Sequence, residues 1–187
     1  MNARTLESIK VALSSANLGR NGASLFALSC TERLRPLLAH VPSGAPPLVA
    51  GVALTELWRV LEGAKRADPR RLSELSQACW VLVDIEATPK VPAAYLEILV
   101  AASHHALETY LSGNPQQAFL AAQKSCEAAT HEPRGSVEQD ELGRQERDIA
   151  EISEVARAGS AFAPLGTRLR ERAEKEGKKF VASLLAD

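Results

Sequence analysis

Between Pro92 and Gly113 the chain reads AAYLEILVAASHHALETYLS. Wound at about 100° per residue, Tyr95, Leu96, Ile98, Leu99, Val100, Ala102, Ala106, Leu107, Tyr110 and Leu111 cover most of a helical circumference. Only Glu97, His104 and Glu108 share a narrow polar stripe. A helix that is apolar nearly all round must be enclosed by other elements. The segments able to enclose it are also helical, because apolar residues alternating with polar ones in runs of Val, Ile and Thr are missing elsewhere.

Proline, glycine and capping residues divide the chain. A first helix spans about Ala3 to Ala16 and stops at Asn17-Leu18-Gly19. Asn21 is placed to cap a second, which runs to about Ala39 with Pro36 bending or tightening it. After VPSGAPP, Pro46 or Pro47 opens a third that Gly63 ends. Asp68-Pro69 opens a fourth helical region, reaching about Glu86. The fifth is the enclosed helix, and Asn114-Pro115 opens a sixth, to about Thr130. Residues 131–136 form a polar break, after which Ser136 with Gln139 gives a capping-box signal for a seventh helix reaching about Ala158. Residues 159–166 form another break before an eighth. The expected fold is all-α: one domain over residues 1–187, an antiparallel bundle of seven to eight helices with short connections.

Composition narrows the function classes. Aromatics are 4 % and apolar residues 45 %, so the core is filled by Leu and Ala, both strong helix formers. A net charge of -1 argues against a surface built for nucleic acid or anionic lipid. Cys30, Cys79 and Cys126 are widely spaced and form no CxxC pair, so the expectation is reduced, buried thiols and no zinc site. The opening MNARTLESIKVALSS lacks the continuous apolar run of a secretion signal, and no stretch reaches the length of a membrane span. A cytoplasmic protein is expected.

Two groups of residues could carry chemistry. Glu32 and Arg33 lie mid-helix in ALSCTERLRPLLAH. No second carboxylate, histidine or glycine-rich loop is placed with them, so acid–base work is not expected; a charge pair fixing how helices register is. His104, His105 and Glu108 sit within one turn, with Glu97 two turns back. A metal there would need ligands from another helix, and the expectation is a polar helix edge. No catalytic, metal or cofactor-binding residues are assigned. Asn114 to Gln123 resembles half of a tetratricopeptide repeat, but no partner lies at the repeat spacing.

Charge is segregated. Residues 132–154 hold eight acidic side chains against three arginines, and residues 168–179 hold six basic against three acidic. One reading of the seventh helix is a solvated outer face laced with pairs such as Glu141–Gln145 and Arg144–Asp148. The other is a docking face for a basic protein partner, with Glu138, Asp140, Glu141, Arg144, Asp148 and Glu151 as the candidate binding residues.

Four motifs together resemble a known family. Phe26, Cys30, Glu32, Arg33 and Pro36 match an aromatic–cysteine–Glu-Arg–proline helix; Leu57 and Trp58 match a Leu-Trp pair before a helix end. Ser112 and Gly113 match a Ser-Gly turn, and Glu146 to Ile149 match a Glu-Arg-Asp-Ile helix. Over about residues 20–175 the chain resembles the YjaG-like family, small all-helical bacterial proteins of unknown function. It departs between Ala87 and Val91 and in its charged C-terminal helix. The Cys-x-Glu-Arg theme is also similar to helical immunity proteins of bacterial polymorphic toxin systems. These resemblances imply no catalytic residue and leave Cys30, Glu32, Arg33, Pro36, Trp58 and Gly113 as framework. They imply an immunity protein that binds a cognate toxin, with a nuclease suggested by the acidic helix. A non-enzymatic adaptor or homo-oligomer is the alternative.

Overall fold

The computed structural model describes residues 4–81, 85–131 and 136–185, apart from the Ser136 side chain. Among them lie eight α-helices and one 3-10 helix, and no strand. The all-α bundle expected from the sequence is what forms. The helices are α1 (Leu6–Ala16), α2 (Gly19–Glu32), α3 (Leu48–Leu61), α4 (Pro69–Trp80), α5 (Ala93–Ser112), α6 (Pro115–Thr130), α7 (Ser136–Arg157) and α8 (Ala163–Leu184); the 3-10 helix is Arg35–His40.

Two helices form the hub. α5 packs on α2, α3, α4 and α6, as its apolar circumference requires. α2 touches α3, α5, α6, α7 and α8, and every residue from Gly22 to Glu32 is buried. Small side chains let the helices approach: Ala118, Ala121, Ala122, Ala128 and Ala129 of α6 are buried between α5 and its neighbours. One apolar core runs through all eight helices.

Cap chemistry sets most boundaries. Asp68 Oδ1 accepts from the Arg71 amide with Pro69 in the first turn, and Asn114 Oδ1 accepts from the Gln116 amide ahead of α6. Gly113 closes α5 at φ 71°, a left-handed conformation that glycine adopts without strain. Thr5 and Ser8 form a reciprocal capping box on α1.

Several expected boundaries move. Asn21 is not a cap: Asn17 turns left-handed (φ 44°), Gly19 follows at φ 64°, and the helix begins at Gly19 with Leu18 in the cap position. α2 stops at Glu32 and not near Ala39, because Pro36 has no N–H to give the Glu32 carbonyl. The chain tightens instead into the 3-10 helix, with the Leu37 amide bonded to the Leu34 carbonyl at 3.0 Å. α4 ends at Trp80, and residues 82–84 of the expected extension to Glu86 lie outside the described residues. So do residues 132–135 of the first polar break and the Ser136 side chain of the capping-box signal. The second break is shorter than 159–166, since α8 begins at Ala163 and Gly166 lies inside it. Gly166 is a packing glycine: a Cβ there would stand 3.3 Å from Leu25 Cδ2 and 3.7 Å from the Leu61 carbonyl. No helix among the described residues is long and apolar enough to cross a membrane.

Candidate functional site

The charge pair of the sequence splits at the end of α2. Glu32 and Arg33 are both buried, but they point into different places. Arg33 crosses to α7. Its Nε and Nη2 donate to Glu141 at 2.9–3.1 Å, and its Nη1 donates to Asp148 Oδ2 at 2.8 Å. Ser29 Oγ donates to Asp148 at 2.8 Å; Ser125 Oγ and Gln145 Nε2 each donate to Glu141 at 3.1 Å. From α8, Arg172 donates to Asp148 Oδ1 at 2.8 Å. Burial alone would push the Asp148 carboxyl up, yet Arg33, Arg172 and Ser29 together hold it below its ordinary range. Burial opposes the Arg33 charge, and Glu141 and Asp148 more than offset it, so the guanidinium stays protonated.

This network corrects the reading of α7. Glu141 and Asp148 are fully buried and cannot belong to a docking face. At about 100° per residue, Glu141, Gln145, Asp148, Ile152 and Val155 fall close to one line, so the carboxylates share the inward stripe of the apolar seam. That alignment was the available signal; it was masked because charged residues default to solvent. The expected Glu141–Gln145 pair forms, but Arg144 reaches Glu141 at 3.4 Å and not Asp148, which is already saturated. Glu151 pairs with Arg172 at 2.7 Å and Arg168 at 3.4 Å. Glu138 and Arg144 are partly covered, and of the six candidates Asp140 alone is classed as exposed. The segregated charges therefore meet each other: acidic α7 is matched to basic α8, with Arg147 bonded to Glu176 at 2.8 Å as a further link.

Glu32 turns toward α3. Its Oε2 accepts from Trp58 Nε1 at 2.8 Å, and Arg35 Nη1 donates to Oε1 at 3.1 Å. Arg35 in turn donates to Thr55 Oγ1 at 2.7 Å. Burial raises the Glu32 carboxyl above its usual value despite Arg35 and Trp58. Cys30, Glu32, Arg33 and Trp58 are all inside the core region, Pro36 sets the 3-10 segment, and Gly113 closes α5, consistent with framework roles.

The histidine stripe is dispersed. His104 Nδ1 lies 2.9 Å from Ser76 Oγ and 3.1 Å from the Ser76 carbonyl, while Ser76 Oγ donates to Glu108 at 2.6 Å. Ser76 is buried, and its hydroxyl is committed to this contact between α4 and α5. His105 faces Gln117 of α6 at 2.8 Å, and Glu97 is exposed. No group of three or more potential metal ligands converges among the described residues. The three cysteines are free and buried, as expected.

A large concavity lies outside this core. A groove of about 1360 Å³ runs between α3 and α8, floored by the 3-10 helix. The two helices meet at one end, where Arg170 reaches Glu62 at 3.3 Å. Beyond that point Val52, Leu48, Leu38, Val181 and Leu185 line the space, with Glu32 and Arg35 at its base. Sequence reading missed the groove because its walls come from segments more than a hundred residues apart.

Fold and groove together define an all-α bundle with an internally neutralised core and a large surface cleft. No family model matches the chain, and neither a curated protein nor a solved structure shows significant similarity to it.

Proposed function

We propose that the chain is a non-enzymatic binding protein of the immunity type, which holds a cognate bacterial toxin inactive in the cytoplasm by protein–protein contact. The observation that carries this reading is the groove between α3 and α8, a broad and partly apolar cleft outside a core whose acids and arginines are occupied with one another. A cleft above the usual 300–1,000 Å³ of small-molecule sites suits a polypeptide segment. The resemblance of the Cys-x-Glu-Arg theme to helical immunity proteins supports the same reading, with Glu32 and Arg33 as framework. The docking surface moves from α7 to the groove, because Glu141 and Asp148 are buried. The nuclease suggestion rested on an acidic docking face and loses its support with that move.

The test is capture with the tagged chain from the native bacterium, read by mass spectrometry and followed by growth assays. The expected result is one stoichiometric partner whose expression alone arrests growth and whose effect this chain relieves. Recovery of the chain alone, or of a harmless partner, would overturn the immunity reading in favour of a homo-oligomer or adaptor.

A further inference from the structure

We infer that the groove receives an acidic amphipathic helix of the partner protein, an inference that rests on the binding-protein reading. Its first support is geometric. On α3 the wall runs from Leu48 to Arg59, and on α8 from Glu174 to its C-cap, Leu185. Each stretch rises about 16 Å, some three helical turns, the length over which a docked helix presents anchors at i, i+4 and i+7. Val52, at 45 % exposure, stands in the middle of the α3 wall as an uncovered apolar contact.

The second support is charge. The carboxylates lining the groove already have partners within the fold. Glu32 holds Arg35 and Trp58, Glu56 holds Lys65 at 2.7 Å, and Glu174 holds Arg170 at 3.0 Å. Of the lining cations, Arg35 is likewise held by Glu32, but the other three are not. The side chains of Arg59, Lys90 and Lys178 are exposed and form no ion pair or hydrogen bond among the described residues. The groove therefore presents an apolar strip edged by uncommitted positive charge. A helix with Leu- or Val-type anchors flanked by Asp and Glu complements both features, and like-charge contact disfavours a basic helix of the same shape.

The experiment uses the full chain and two fluorescein-labelled peptides of roughly four turns, one built from Leu and Glu, the other from Leu and Lys. Fluorescence anisotropy is read for wild type, for Val52→Asp and for Arg59→Glu with Lys178→Glu; all three positions are solvent-facing or at the rim, and thermal melts verify folding. The expected result is binding of the Leu/Glu peptide alone, weakened about tenfold or more by either change, with a shallower salt dependence in the charge-reversed protein. Equal binding of both peptides, or binding indifferent to the variants, would overturn the inference. So would binding of a fatty acid such as laurate without the peptide, which would make the groove a small-amphiphile site. If a captured toxin binds the groove variants as tightly as wild type, the helix inference fails and the immunity reading stands. If no toxin is captured but the Leu/Glu peptide binds through Val52, the groove chemistry stands and the immunity reading fails.

Discussion

Gly177 of α8 lies directly against the backbone of Arg33: a Cβ on Gly177 would stand 2.8 Å from the Arg33 carbonyl oxygen and 2.9 Å from its Cα. The C-terminal helix thus presses on the point where α2 ends and the buried guanidinium departs. Gly177→Ala is expected to destabilise the protein by about 1–3 kcal/mol, although alanine is the better helix former by about 1 kcal/mol. Gly143→Ala supplies the contrast. Its Cβ would first meet the Arg4 guanidinium, at 3.0 Å, the far end of a flexible side chain in a solvent-exposed pair with Glu146. That variant should be neutral or slightly stabilised. Urea denaturation of both checks the order, and the reverse order would refute the packing account.

Arg33→Met should cost about 3–5 kcal/mol, because it leaves two buried carboxylates without the guanidinium they share, with only Arg172 on Asp148 and the longer Arg144 contact on Glu141 remaining. Adding Glu141→Gln and Asp148→Asn removes the stranded charge. The triple variant should therefore be more stable than Arg33→Met alone. A triple variant no better than the single would show that the arginine acts by its packing volume and not by its charge.

Asp148 gives the core a pH dependence of known sign. Its folded carboxyl titrates below the ordinary value of 3.8, so the unfolded chain takes up the proton first as the pH falls. The stability it contributes is complete above that value and is lost as pH drops through the folded pKa. In Asp148→Asn, stability at neutral pH should be lower and its decline in acid shallower than in wild type. Chemical denaturation from neutral pH down to about pH 3 measures both. An unchanged acid slope would remove Asp148 from the account.

Glu32→Ala leaves the Trp58 indole N–H without its acceptor and Arg35 without its counter-charge. A fall in melting temperature equivalent to about 1–3 kcal/mol is expected. Partner binding by the folded fraction should persist, since the glutamate organises the groove floor from within. Selective loss of binding with an unchanged melt would place Glu32 in direct contact with the partner.

The thiols should be silent in the native state. Burial pushes Cys79 and Cys126 up to about 12, and burial also raises Cys30 well above its ordinary value, with Arg33 opposing and the Glu141 and Asp148 carboxylates adding to it. Reaction with a disulfide reagent should be slow and should accelerate with urea in step with unfolding. A thiol that reacts quickly in the folded protein would mark a local opening.

What the sequence discloses depends on how local the cause is. Asp68-Pro69, Asn114-Pro115 and Gly113 mark helix ends because capping is settled within a few residues. The central place of α5 is legible for the same reason, since its apolar circumference is a property of one segment. Glu141 and Asp148 were assigned to solvent because the residue that draws them inward is 108 and 115 positions away. Gly166 reads as part of a break because its reason for being glycine is Leu25 and Leu61, not its neighbours in the chain. The groove belongs to the same class, being defined only when α8 returns beside α3.

The separation between Arg33 and its counter-charges has a consequence during synthesis. Arg33 leaves the ribosome long before Glu141 and Asp148 exist. Until α7 emerges, drying the end of α2 would bury a lone cation, so that end of the hub stays hydrated and its apolar flank open. Closure of the core thereby waits on the last third of the chain, and the nascent protein carries an electrostatic latch against premature collapse.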